Sequence, residues 1–251
     1  MADWNDLARE LDAWSEIGGC ATFWWRDDDA IAATAQLERL LTISAETQAP
    51  VSVAVIPRDT NGTLRDRLAG HPLATAVQHG WCHQNHAPPD QRKMEYGPHR
   101  PVDVMIAELS DGWKRLSPFE HALPVLVAPW NRMDPALLPV LPRAGLGAVS
   151  TLGPRDSAEP APGVRRTNVH VDIVDWAGTR GFVGTGAALD QVVGHLADRR
   201  EGRADRQEAT GLMTHHLCHD KGCWDFVSDL ISRTRAHPAA RWLDTRQAFW
   251  P

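Results

Sequence analysis

The chain has 251 residues, 43% of them hydrophobic, and a formal charge of −6 from 26 basic and 32 acidic side chains. That length suits one α/β barrel spanning residues 1–251, the apolar content excludes global disorder, and the acidic balance argues against a nucleic-acid partner. The one basic cluster, Arg199, Arg200, Arg203 and Arg206, alternates with Glu201, Asp205 and Glu208 and reads as a solvated helix end.

Residues 1–19 form an amphipathic N-terminal helix, with Trp4, Leu7, Leu11 and Trp14 at helical spacing. The stretch has no basic n-region or apolar h-region, so it does not read as a secretory signal. No apolar run reaches about 18 residues, so no transmembrane helix is expected. Cys20, Cys82, Cys218 and Cys223 show no Cys-x-x-Cys spacing, and reduced thiols in a cytoplasmic protein are the simplest reading.

Apolar runs then alternate with helical periodicity. "CATFWW" (20–25) is a buried strand, followed by a helical face over 31–45. "VSVAVIP" (51–57) is a strand, and 63–70 a short helix stopped by Gly70. "LATAVQHG" (73–80) is a strand, 87–101 a loop, and 102–116 a helix with Ile106, Leu109, Trp113 and Leu116 on one stripe. "LPVLVAPW" (123–130) is a strand, and 134–145 a short helix capped by Asp134 with Pro135 at its first position. Strands follow at 146–153, 167–176 and 209–216, with helices at 187–200 and 224–235, and "ARWLDTRQAFW" closes the chain. Seven or eight such units favour a closed parallel barrel over an open sheet. Trp24, Trp25, Trp113 and Trp242 read as core.

Sites in parallel α/β proteins gather where strands end at their carboxyl side. Five strand ends here carry such groups: Asp28 and Asp29; His79 and His83; Pro129 and Trp130; Asp172 and Asp175; His215 and His216. An acidic triplet is often only a helix cap, and Asp29 is placed to cap a helix near Ile31. Adjacent carboxylates also divide labour, one as metal ligand and its neighbour as base. His79-x-x-x-His83 would put both rings on one face of a helical turn, and an Asp would complete the three protein ligands of a catalytic zinc. His86 reads as a substrate contact or a loop bystander. In "THH" adjacent strand residues face opposite ways, so one histidine reaches the mouth; His215 is preferred, with His216 its competitor. Trp81, Trp130 and Trp176 lie beside these groups as packing or as a platform for a sugar ring.

In order, Arg26-Asp-Asp-Asp-Ala30, "HGWCH" (79–83), "APWN" (128–131), "DIVDW" (172–176) and "LMTHH" (212–216) resemble the polysaccharide deacetylases of carbohydrate esterase family 4. The resemblance implies a single-domain, distorted (β/α)7 barrel. It implies Asp28 as general base, Asp29, His79 and His83 as ligands of a divalent metal, zinc first, the Trp130 N–H as oxyanion donor, and His215 as general acid. Two positions depart. The family's arginine before the proline is replaced by Val127–Ala128, so Arg26 or Arg132 would substitute, and the glycine after the Asp pair is Ala30. The triplet leaves the register open to Asp27.

The expected activity is metal-dependent hydrolysis of an amide, with an acetamido sugar or sugar precursor as substrate. Hydrolysis of another C–N bond, a formamide or ureide, and non-catalytic glycan binding are the alternatives. Further substrate contacts are expected from His86, Trp81, Arg132, Asp172, Asp175, His216 and Arg26.

Overall fold

A computed structural model describes residues 1–251. Helix α1 (Trp4–Glu16) opens with a capping box between Asp3 and Asp6 and turns Leu7, Leu11 and Trp14 inward. β1 (Ala21–Ala30) is the central strand; α2 (Ala35–Thr47), β2 (Val51–Val55), α3 (Gly62–Ala69) and β3 (Ala74–His79) follow. After a long loop come α4 (Val102–Leu116), β4 (Val125–Val127), two 3-10 stretches (Pro129–Asn131 and Pro135–Ala144) and β5 (Ala148–Ser150). Then come β6 (Arg165–Arg166), β7 (Val171–Asp172), α5 (Thr185–Arg200), β8 (Thr210–Thr214), α6 (Lys221–Arg235), β9 (Ala240–Trp242) and α7 (Thr245–Phe249).

Every strand pairing is parallel, in the order β6-β5-β4-β3-β2-β1-β8-β7, with β9 added beside the start of β1. A single parallel bridge, Leu152 to Val169, brings the end of β5 against the approach to β7. Seven strands, β1 to β5 with β7 and β8, thus curl into a distorted (β/α)7 barrel, as expected. Their near-continuous apolar runs match strands covered on both faces. The core divides into a large cluster under α1, α2, α5 and α6, a second around α4 and residues 137–149, and a third inside the ring. Trp24, Trp25 and Trp242 are buried in it, and Trp113 is half-buried between two clusters.

Several elements differ from the sequence reading. β1 continues five residues beyond 25 and carries the aspartates inside the strand, because each finds a polar partner, Thr214, Arg26 or His79, that offsets their poor strand propensity. Asp29 caps nothing; Thr34 caps α2 through its hydroxyl. The 134–145 segment starts at Asp134 as expected but is 3-10, since Pro139 and Pro142 cannot donate the α-helical bonds. The basic cluster is not a solvated helix end throughout. Arg199 is buried and donates to the Thr22 carbonyl and hydroxyl and the Thr210 hydroxyl, and Arg200 pairs with Glu10. No helix is long and apolar enough to cross a membrane.

Candidate active site

Strand alternation and one bulge sort the three aspartates. Asp27 faces inward beneath β8, where its carboxylate accepts the Thr214 hydroxyl at 2.6 Å, the His216 N–H at 3.0 Å and the His216 ring. Arg26 and Asp28, two residues apart, share the other face. Arg26 is fully buried; its Nε and Nη2 each lie 2.9 Å from an oxygen of Asp28, and it also donates to Ser150 (2.8 Å) and Asn131 (2.6 Å). Between Asp27 and Ala30 the register against β2 slips by one residue, a bulge. At that bulge Asp29 takes φ +73°, which breaks the alternation and turns its carboxylate toward β3.

There the Asp29 Oδ1 lies 3.1 Å from the His79 Nε2 and 3.5 Å from the His83 Nε2. Donors around a tetrahedral zinc at about 2.0–2.2 Å stand roughly 3.3 Å apart, so the three atoms suit one small divalent cation. His79 donates its Nδ1–H to the Val127 carbonyl at 3.1 Å, which leaves Nε2 free as a lone-pair donor. Burial alone would raise the Asp29 carboxyl; the His79 hydrogen bond and the charges of His79, His215 and His83 outweigh it and hold it below the usual range. Burial lowers His79, and Asp28 and Asp29 more than reverse this. Desolvation and the neighbouring His79 keep the His83 ring low, favouring the neutral form that ligates.

The two rings do not meet on a helical turn, as the spacing suggested. His79 ends β3, and the chain bends back through Gly80 (φ +58°) to His83 (φ +54°). A Cβ at Gly80 would sit 2.1 Å from the Glu95 Oε2 and 2.5 Å from Pro129 Cγ, so only glycine fits the bend. Fully buried Glu95 clamps this loop by accepting the Trp81 N–H at 3.3 Å and the Cys82 N–H at 2.9 Å. Gln78 props it by donating to the Gly80 carbonyl at 3.0 Å. Sequence reasoning missed Glu95, which lies in a stretch read as loop, and no local pattern marks it.

His215 stands across the site, its Nε2 3.9 Å from the Asp28 Oδ2. Its backbone N–H donates to the His219 ring, and the Trp176 indole meets its ring edge-on at 4.8 Å. Trp176 in turn donates its Nε1–H to Asp172 at 2.9 Å. Burial raises the Asp172 carboxyl despite the Val174 N–H, His215 and Trp176 that oppose it.

Asp29, His83, Asp172 and His215 line one cleft of about 530 Å³, with Trp130 and Trp176, Asn131, Leu152, Met213 and Cys218 in its walls and Lys93, Arg132 and Arg180 around it; His79 and Asp28 are buried directly behind them. Six non-glycine residues have left-handed φ, and five of them (Asp29, His83, Trp130, Asn131 and Arg180) line this cleft. Such strain gathers at functional sites. A depression of about 350 Å³ at the other end of the strands, beside Pro50, Leu73 and Glu120, has no comparable set of groups.

Some expected substrate contacts are placed elsewhere. Arg26 is sealed behind Asp28 and spends its guanidinium on that carboxylate. His216 is buried on Asp27. Asp175 spends its carboxylate on the Gly178 and Thr179 N–H groups of its own turn. Trp81 packs on the second core cluster under Arg115, and His86 lies on the outer loop with its N–H bonded to the Met94 carbonyl. Arg132, Asp172, Trp130 and His215 do line the cleft.

The fold defines the class as a distorted, parallel (β/α)7 barrel, with two histidines and paired aspartates gathered where its strands end. No family model and no curated protein matches the sequence. Among solved structures, the chain superposes on a Mycobacterium smegmatis protein assigned as a polysaccharide deacetylase, with TM-score 0.64 and 18% identity over 91% of this chain and 89% of that one. It also matches a family 4 acetyl xylan esterase from Clostridium thermocellum in complex with a cobalt ion, with TM-score 0.51 and 11% identity over 91% and 90%. A 4-alpha-glucanotransferase from Thermococcus litoralis gives TM-score 0.55 at 9% identity, over 92% of this chain and 40% of that one. The barrel is therefore shared with proteins of another chemistry, and the side chains in the cleft must carry the functional argument.

Proposed function

We propose that the protein is a metal-dependent deacetylase of the carbohydrate esterase family 4 type, hydrolysing the acetamide of an amino sugar. One observation carries this reading: three donors on Asp29, His79 and His83 converge at the floor of a cleft whose lining includes His215, and His215 lies 3.9 Å from the Arg26-held carboxylate of Asp28. Zinc fits a donor set of two imidazoles and a carboxylate, and the cobalt-bound relative makes a divalent ion at such a site reasonable.

A divalent cation held there supplies Lewis acidity, polarising the acyl carbonyl and making water acidic near neutral pH. Asp28 takes the proton from the attacking water; Arg26, donating from Nη2 to one carboxylate oxygen with its Nε 2.9 Å from the other, fixes the direction of that carboxylate. His215, which lines the cleft, delivers a proton to the departing amine nitrogen. The Trp130 N–H, set at a left-handed kink by φ +54°, donates to the developing oxyanion, a contribution of about 3 kcal/mol for one such donor. Trp130 and Trp176, the latter 40% exposed, offer faces for a sugar ring. A cleft of about 530 Å³ accommodates one or two rings more readily than a polymer. All four cysteines are free, in keeping with a cytoplasmic sugar or sugar precursor.

Metal analysis of purified protein, wild type against His79→Ala, tests the centre: near one equivalent of zinc is expected in the first and little in the second. Acetate release from N-acetylglucosamine derivatives tests the activity. Full turnover by Asp28→Asn would refute the assigned base.

A further inference from the structure

The reaction as proposed uses Asp28, Asp29, the two ligand histidines, His215 and the Trp130 N–H. Three cleft-lining cations have no part in it: Lys93, Arg132 and Arg180. In a chain of net charge −6 they stand around one cavity, and none forms an ion pair with a carboxylate within 4.0 Å. Their placement is built. Arg132 follows the left-handed pair Trp130 and Asn131 and donates to the Lys93 carbonyl at 3.2 Å, which joins the two cations on one wall; the Lys93 ammonium lies 6.0 Å from the Trp130 ring centre. Arg180 reaches the cleft on the Trp176 side from its own left-handed residue, held by its N–H bond to the Asp175 carbonyl at 2.9 Å. The turn that Asp175 ties is what presents it.

The cleft's carboxylates do not answer this charge. Asp29 is committed to the histidines and Asp172 to the Trp176 and Val174 N–H groups. A cation on Asp29 would add positive charge. Arg132 is partly desolvated and faces Arg92 nearby, a repulsion that an anion relieves. We infer that the acetamido sugar taken by this cleft carries an anionic group, a phosphate or a carboxylate, bound by Arg132, Lys93 and Arg180. Guanidinium groups suit either oxyanion, since both accept paired N–H bonds. The inference rests on the proposed deacetylation for the sugar and on the cleft alone for the charge.

The test compares neutral N-acetylglucosamine with N-acetylglucosamine 1-phosphate and N-acetylmuramic acid, as substrates in acetate release and as ligands in calorimetry. Expected is a KM for one charged sugar at least about tenfold below that of the neutral one, rising with ionic strength. The double variant Arg132→Gln/Arg180→Gln should cut that preference by roughly tenfold or more. Arg65→Gln, an exposed arginine paired with Asp66, should leave it intact. The preferred arm tells phosphate from carboxylate. Equal KM values, or a preference that survives the double variant, would overturn the inference while deacetylation stands. If no sugar releases acetate, the deacetylase reading fails and calorimetry alone decides the charge: tighter binding of an anionic sugar, lost in the double variant, supports the inference, and equal binding overturns it.

Discussion

Replacing Arg26 by methionine keeps the buried stem and removes the cation. Arg26 and Asp28 are 0% and 2% exposed, so the orphaned carboxylate would find too little water to replace the lost cation. Breaking such a pair from one side costs about 3–5 kcal/mol, and the Ser150 and Asn131 side chains lose their bonds as well. Urea unfolding of Arg26→Met should show that loss, and acetate release should fall by two orders of magnitude or so as the base loses its orientation. The double variant Arg26→Met/Asp28→Leu removes both charges. It should recover most of the stability, because an apolar pair of similar size needs no desolvation, and recover no activity. If it is no more stable than Arg26→Met, the loss comes from Ser150 and Asn131 and not from the stranded carboxylate. If Arg26→Met costs under about 1 kcal/mol, the pair is not sealed from water and the argument for its role fails.

Glu95→Gln should weaken zinc binding by roughly 10- to 100-fold, measured by competition with a chelator, because the clamp on the Trp81 and Cys82 N–H groups loses its charge. Gly80→Ala forces a Cβ against Glu95 and Pro129 and should lower the unfolding free energy by about 2 kcal/mol or more while releasing metal, an outcome read by calorimetry and metal content. Away from the cleft, burial, His170 and Arg199 push the His195 ring from 6.5 down to about 2. Between those values the unfolded chain binds the extra proton, so this contribution is whole above pH 6.5 and is lost as pH falls, at up to about 1.4 kcal/mol per unit. His195→Gln should flatten the fall in urea stability between pH 6.5 and 4.5 relative to wild type; equal slopes would show that the ring is not held neutral.

The barrel was legible because its signal is repetition: apolar runs at regular spacing survive errors of several residues at each boundary. The strand ends were legible for the same reason, since Asp28, Asp29, His79, His83 and Trp130 follow apolar runs whose direction is fixed by the parallel topology. What stayed hidden depends on long-range contact. Glu95 is fourteen residues beyond Trp81, yet it holds the loop between His79 and His83 through the Trp81 and Cys82 N–H groups. Arg26 is adjacent to the triplet, but only its full burial shows that it serves Asp28 and not the substrate. The 167–176 segment reads as one strand and is reduced to Val171–Asp172; on its C-terminal side Asp172 and Asp175 accept bonds from the turn that follows and stop the ladder.

The triplet Asp27-Asp28-Asp29 shows how a single run of like residues acquires three separate sets of partners. Plain alternation would send Asp27 and Asp29 to the same face, and both would then compete for the buried space under Thr214 and His216. The bulge against β2 prevents this by inserting one extra residue, and the left-handed φ at Asp29 turns the third carboxylate out to His79 and His83. A non-glycine residue in that conformation costs of order 1 kcal/mol or more. The strand holds it because Asp28 is fixed on one side by Arg26 and Ala30 is fully buried on the other. It follows that the partners each aspartate of the triplet meets, and with them the roles proposed for ligand and base, are set by backbone geometry more than by sequence order. Shifting the register by one residue would trade the partners of all three carboxylates together.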